Sequence, residues 1–175
     1  GFSGIFGHKP SFGRVPAYPL SPFGTVAHVG PMTRTVEDAC LMMNVIAQPD
    51  ARDWTALPPD PSDYTVGLQD GLRGLRVAYS PTLGYARHVD PEIAVALDGV
   101  AHILQDLGAI VEAVDPGFED PLEITTGLWF AGAWQVWRAL TAQQQAVADP
   151  DFKAQALLGE GLGVDALHAL DRKST

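Results

Sequence analysis

The spacing of prolines near the start of the chain limits its fold more than any other feature. Pro16, Pro19 and Pro22 recur at every third residue, and Pro10 and Pro31 flank them. Each proline removes a backbone N–H and fixes φ, so neither an α-helix nor a central strand runs through this stretch. With Gly4, Gly7, Gly13, Gly24 and Gly30 interspersed, residues 1–34 read as one short strand followed by a long loop. A long loop without secondary structure is uncommon inside a compact domain, and one that occurs is expected to be functional or to pack on other structure.

At Thr35 the pattern changes. Val36, Ala39, Cys40, Met43, Ile46 and Ala47 form an apolar stripe of helical period, which predicts a helix over 36–47. Thr35 with Asp38 resembles a capping box, and Glu37 and Asp38 suit the positive end of the helix dipole. Residues 48–66, around RDWTALPPDPSD, read as a polar connection. GLRVAYS then predicts a strand with Leu75, Val77 and Tyr79 on one face, and Val66–Leu68 as an earlier pairing segment. Asp90 caps a second helix with Pro91 at its first position. Ile93, Leu97, Val100, Ala101, Leu104 and Leu107 are its expected buried stripe, and Gly108 its left-handed stop. AIVEAVD follows as a strand, so the whole reads as a right-handed βαβ crossover with two parallel strands.

Beyond Asp120-Pro121 the sequence turns helical. GLWFAGAWQVW carries apolar groups on more than one face, which implies burial on several sides or a pocket wall. Trp129, Trp134 and Trp137 read first as core. Asp149-Pro150 starts shorter helices, whose periodicity weakens at the glycines of LLGEGLGVDALHAL.

The chain has 175 residues and is 46% hydrophobic, enough for one sizeable core. Its 11 Lys and Arg against 21 Asp and Glu give a formal charge of −10. That charge repels a phosphate backbone or an anionic lipid surface, so neither nucleic acid nor membrane is expected as a partner. No apolar run reaches the length of a membrane span, and the first residues lack a basic segment followed by an apolar signal core. A cytoplasmic setting is expected. The single cysteine, Cys40, reads as a small core residue.

Candidates for chemistry are few. Ser3, Ser11 and Ser21 lie near His8, Lys9 and His28, so a Ser-Lys or Ser-His pair can be drawn, with Ser11 and Lys9 the pair to test. Lys9-Pro10-Ser11 also reads as a strand end followed by a turn. His8, His28, His88, His102 and His168 show no metal-ligand spacing, and one cysteine builds no Cys-rich site. GLQDGLRG lacks the glycine spacing of a dinucleotide loop and precedes a strand. No cofactor or metal is expected.

Two stretches in order, GIFGHKPSFGRVP and GTVAHVGPMTRTVEDACLMMNVIA, resemble the amidase signature family. That family has a G-x-x-G-x-K-P-[TS]-x-G-R run, matched here by Gly4, Gly7, Lys9, Pro10, Ser11, Gly13 and Arg14. About twenty residues later comes G-P-[ML]-[TA]-R-[ST]-V-x-D, matched by Gly30, Pro31, Met32, Thr33, Arg34, Thr35, Val36 and Asp38. LRGLRVAYSPTLGYARHVDPEI and LGAIVEAVDP look like the family's strand–helix–strand continuation. The likeness is specific to about Pro116 and loose beyond it.

The resemblance implies a partial amidase-signature fold of α/β class: a mixed sheet with a βαβ crossover flanked by helices, and a mostly helical C-terminal half. It divides residues 1–175, a single fragment of an amidase domain, into a loop-rich 1–34 that packs on an absent active-site core, a helix plus βαβ unit over 35–116, and a helical 117–175 that includes substrate-pocket residues. Family enzymes cleave C–N amide bonds with a Ser-cisSer-Lys triad, and the resemblance puts all three members before Gly1. Lys9 belongs to the later motif, and Ser3 and Ser11 do not match the triad serines, so no catalytic residue is carried over and the segment alone is expected to be inactive. The expected partner is a small-molecule amide in the parent protein. Phe6, Phe12, Val15 and Phe23 are expected to be exposed, favouring homo-oligomers through that surface. The alternative is a stand-alone, non-catalytic α/β ligand-binding or interaction module, which a small molecule bound near Tyr79–Gly84 would favour.

Overall fold

The computed structural model describes residues 3–174 and contains two compact units, one of residues up to Val66 and from Leu122 onward, the other of Gly67–Pro121. In the first, β1 (Phe6–Gly7) pairs antiparallel with β2 (Met32–Thr33), with Phe6 opposite Thr33 and Gly7 opposite Met32. The pairing continues as His8 N–H donates to the Pro31 carbonyl at 3.1 Å. Gly30 permits this approach, because a Cβ there would overlap the His8 carbonyl and the Pro10 ring.

α1 (Val36–Ile46) starts where predicted, with Thr35 Oγ1 accepting from Asp38 N–H at 3.1 Å. Ala39 and Met43 are its buried residues, and Met43 and Ala47 close on Val15, with Ile46 and Tyr64 around them. Cys40 is half-buried and free. The 48–66 connection is tied to this helix by its polar groups: Asn44 Nδ2 donates to Asp63 Oδ1 at 2.7 Å, and Tyr64 N–H donates to Asn44 Oδ1 at 2.9 Å.

The second unit, next along the chain, is the predicted crossover. β3 (Arg76–Tyr79) and β4 (Ile110–Ala113) are parallel, in register from Arg76 opposite Ile110 to Tyr79 opposite Ala113. α2 (Pro91–Asp106) joins them, capped by Asp90 Oδ1, which accepts from Glu92 N–H at 2.8 Å. Gly108 takes φ +93°, and its backbone lies against Arg73. Tyr79 Oη donates to Asp98 Oδ1 at 2.6 Å, linking strand to helix.

From Leu122 the chain returns to the first unit and is helical. α3 (Leu122–Ala139) is followed by α4 (Ala142–Val147), and it packs on α5 (Pro150–Leu158) and α6 (Val164–Ser174). Thr141 and Gln144 form a full capping box on α4, and Asp149 caps α5 ahead of Pro150. Ala133, Trp137 and Ala156 form the buried centre, with Phe23, Trp134, Leu140, Ala148 and Phe152 around it. The close α3–α5 approach requires Gly159, where a Cβ would overlap the Phe130 carbonyl.

Three expectations are corrected. Val66–Leu68 does not pair: it lies in consecutive turns, with Val66 N–H bonded to the Asp63 carbonyl and Gly67 at φ +87°. The α2 stripe is not buried, with Ile93 56%, Val100 49% and Leu107 58% exposed, because two four-residue strands are too small to cover a 16-residue helix. The opening-loop side chains are not left bare. Val15 is 8% exposed in the α1 cluster, Phe23 lies against α3, and Phe6 and Phe12 are half-buried, because the loop folds back on its own unit.

Candidate functional site

The proline-rich loop is held in place by two sets of polar and aromatic contacts. At one end, Asp53, 6% exposed, is the buried charged residue of the described chain. Its Oδ2 accepts from Ala17 N–H at 2.8 Å, and its Oδ1 accepts from Thr55 N–H at 2.8 Å and Thr55 Oγ1–H at 2.6 Å. These bonds satisfy a carboxylate that would otherwise be costly to bury. They also hold its pKa below the ordinary carboxylate value, the Thr55 hydroxyl first and the Ala17 amide next. Beside it, Leu57 N–H donates to the Gly13 carbonyl at 2.8 Å and Arg14 Nη1 to the Pro58 carbonyl at 3.1 Å. Gly13 has φ +78°, and a Cβ there would lie 2.5 Å from the Thr55 carbonyl oxygen, so the sequence needs glycine at this crossing.

At the other end, Phe23 stacks on Trp129 with ring centroids 4.6 Å apart and sits on Gly132 of α3, where a side chain would overlap it. Thr25 Oγ1 donates to Asp171 Oδ1 of α6 at 2.8 Å. Thr25 sits in a single 3₁₀ turn, Gly24–Val26, that Phe23 immediately precedes. Backbone between these anchors bends around a cavity of about 180 Å³. Phe12, Val15, Leu20 and Val29 give it apolar walls, and Ser21, His28 and Asp53 contribute polar groups. His28 meets Phe12 edge to face, centroids 6.0 Å apart, and its Nδ1 lies 3.3 Å from the Val26 carbonyl.

The other sequence candidates are not assembled into a catalytic group. Ser3, His8, Lys9 and Ser11 are exposed, and the Ser11 carbonyl accepts from Arg14 N–H in a turn, as the turn reading of Lys9-Pro10-Ser11 anticipates. Ser21 Oγ accepts from Phe23 N–H at 3.2 Å. Of the tryptophans, Trp137 is core and Trp134 packs against the same cluster, whereas Trp129 is 46% exposed and donates its indole N–H to Gln155 Oε1 at 3.0 Å. Among the described residues no three His, Cys, Asp or Glu side chains come together to hold a metal ion, and no helix is long and apolar enough to cross a membrane.

Asp53 is the residue that sequence reading missed. Asp-Trp-Thr has the form of a local turn in which Asp bonds the backbone two residues on. Nothing local shows that such a turn is buried against Ala17.

The amidase family model matches residues 1–160. An acylamidase of Rhodococcus erythropolis is 34% identical over 169 residues, covering 91% of this chain and 35% of its own length. A glutamyl-tRNA(Gln) amidotransferase chain of Ligilactobacillus salivarius is 38% identical over 114 residues, covering 65% of this chain and 23% of its own. Among solved structures, a bacterial aryl acylamidase of the amidase signature family superposes with TM-score 0.78 at 28% identity, covering 95% of this chain and 36% of its own. A 6-aminohexanoate cyclic dimer hydrolase shares the fold at TM-score 0.78 and 21% identity, covering 95% of this chain and 37% of its own. The chain thus spans about a quarter to a third of the length of these relatives. On the match of the family model across most of its length, this chain belongs to the amidase family.

Proposed function

We propose that the chain is part of a hydrolase of C–N amide bonds whose serine nucleophile and its base are supplied by residues outside these 175, so that the segment alone is inactive. The observation that carries this reading is the amidase match over 1–160, in a chain whose candidate serines are exposed, Ser3 and Ser11, or bonded within a local turn, Ser21. Amide hydrolysis needs a nucleophile with a base in hydrogen-bond reach and donors for the oxyanion. Ser3, Ser11 and Ser21 supply no such arrangement. The role of the chain is then to support the reacting centre: the double anchoring at Asp53 and at Phe23 gives its proline-rich loop a defined shape. Residues 122–160 contribute a wall to the acyl-side pocket, for which the exposed indole of Trp129 is the best-suited surface. The substrate is a small amide, and no cofactor is required.

The test compares hydrolysis of a panel of small aliphatic and aryl amides by the 175-residue chain and by the same chain with its upstream residues joined. Turnover only in the longer protein supports the proposal. Turnover by the 175 residues alone, abolished by Ser11→Ala, would replace it with a Ser11-Lys9 mechanism. In the active longer protein, Trp129→Ala is expected to raise KM for aryl amides more than for acetamide-sized ones; equal effects on both would remove Trp129 from the pocket wall.

A further inference from the structure

We infer that the cavity between the proline-rich loop and the Asp53 turn is a binding site for a small, uncharged, single-ring aromatic molecule that carries one hydroxyl group. Size comes first. The cavity measures about 180 Å³, and an engineered apolar cavity of roughly 150 Å³ takes up benzene. One ring with a polar substituent therefore fits, and two fused rings with substituents do not. The walls are apolar, with Phe12, Val15, Leu20 and Val29 among the lining residues, and an aromatic ring gains edge contacts beyond its area burial in such a setting.

The polar groups choose the substituent. His28 Nδ1 faces the Val26 carbonyl at 3.3 Å, so Nδ1 carries the proton and Nε2 is the ring nitrogen left to accept one. Ser21 Oγ already accepts from Phe23 N–H, which leaves its O–H to donate. A hydroxyl on the ligand both donates and accepts, and so can answer both groups. Charge is excluded from either side. The Asp53 carboxylate in the lining repels an anion such as benzoate, and its oxygens are already bonded to Ala17 and Thr55, so it makes no demand for a cation. This inference concerns binding alone and is read without turnover, so it stands or falls separately from the hydrolase proposal.

Phenol, anisole, toluene and benzoate serve as probes, each titrated into the 175-residue chain while the backbone amides of Ala17, Thr25 and Thr55 are followed by NMR. Phenol is expected to shift these amides saturably, and toluene, which can make neither bond, to do so with about 25- to 100-fold weaker affinity, the worth of two neutral hydrogen bonds. Anisole, which keeps the acceptor for Ser21 but loses the donor for His28, is expected to fall between phenol and toluene, about five- to tenfold weaker than phenol, which tests the His28 contact without any substitution. Benzoate is expected to leave the amides unmoved. Ala27→Leu, which fills the cavity from its wall, is expected to abolish both phenol and toluene binding with the melting temperature retained. Phenol that leaves these amides unshifted up to roughly 10 mM, or that binds Ala27→Leu as well as the original chain, overturns the site. Anisole binding as tightly as phenol overturns the assigned hydroxyl recognition.

Discussion

The loop unit and the βαβ unit reverse the usual link between regularity and burial. In the βαβ unit helix and strands follow their signals: Asp90 caps, Pro91 begins the helix, Gly108 ends it, and the strands pair in parallel. Yet Ala109 is its buried residue among those described, and the apolar stripe of α2 is largely exposed. In the other unit the proline-rich loop has almost no regular structure, but it buries Val15 and Pro31, lines a cavity and contacts both helical clusters. Local propensity sets where an element starts and stops. Burial depends on how much surface is offered to it, and a glycine- and proline-rich loop offers close backbone approach where a short sheet does not.

Substitutions can break this contrast. The largest effect is expected for Trp137→Ala, which removes an 8% exposed indole from between Phe152 and the α3–α5 contact; a loss of about 3–5 kcal/mol is expected in denaturant unfolding. A loss under about 1 kcal/mol would mean that the helical cluster is not a packed core.

Asp53→Asn comes next and sharpens the role of the loop anchor. The folded carboxylate is held below its ordinary value of 3.8 by Thr55 and Ala17. A lowered folded value means that ionisation favours the folded state above the ordinary value, and that the benefit is lost as pH falls through the folded one. The melting temperature of the original chain is therefore expected to exceed that of Asp53→Asn at neutral pH, with the gap closing as pH falls below about 3.8. A gap independent of pH would show that the bonds matter by geometry and not by charge.

The smallest effect is expected in α2. Ile93→Ala would cost about 2–5 kcal/mol in a packed core, but Ile93 is 56% exposed, and a change within about 0.5 kcal/mol is expected for an exposed position. A core-sized loss would mean that the stripe is covered in solution, for instance by self-association, and that should show in sedimentation as a dimer dissociated by the same substitution.

Many of these features are legible in the residues alone. Thr35, Asp90 and Pro91 fix helix starts through bonds made within a few residues, and the alternation in GLRVAYS fixes a strand in the same way. The two matched motifs, around Lys9-Pro10-Ser11 and Gly30-Pro31, place the chain in its family without any coordinate. Val66–Leu68 misleads because a short segment without a partner is equally compatible with a turn, and Gly67 with φ +87° decides for the turn. Of the candidate cavity, the serine and histidine were visible as residue types, but Asp53 was not, because its partner Ala17 lies 36 positions away.

Residue order is thus enough to set the local events: helix caps, proline breaks, glycine turns, the parallel crossover and the family motifs. All but the crossover depend on groups within a few residues of one another, and the crossover follows from the order of its elements. Long-range packing alone buries Asp53 against Ala17, makes Gly13, Gly132 and Gly159 crossing points, and leaves α2 with an exposed apolar face. Those outcomes depend on surfaces brought together from distant parts of the chain, and the presence or absence of a covering partner leaves no mark on local propensity.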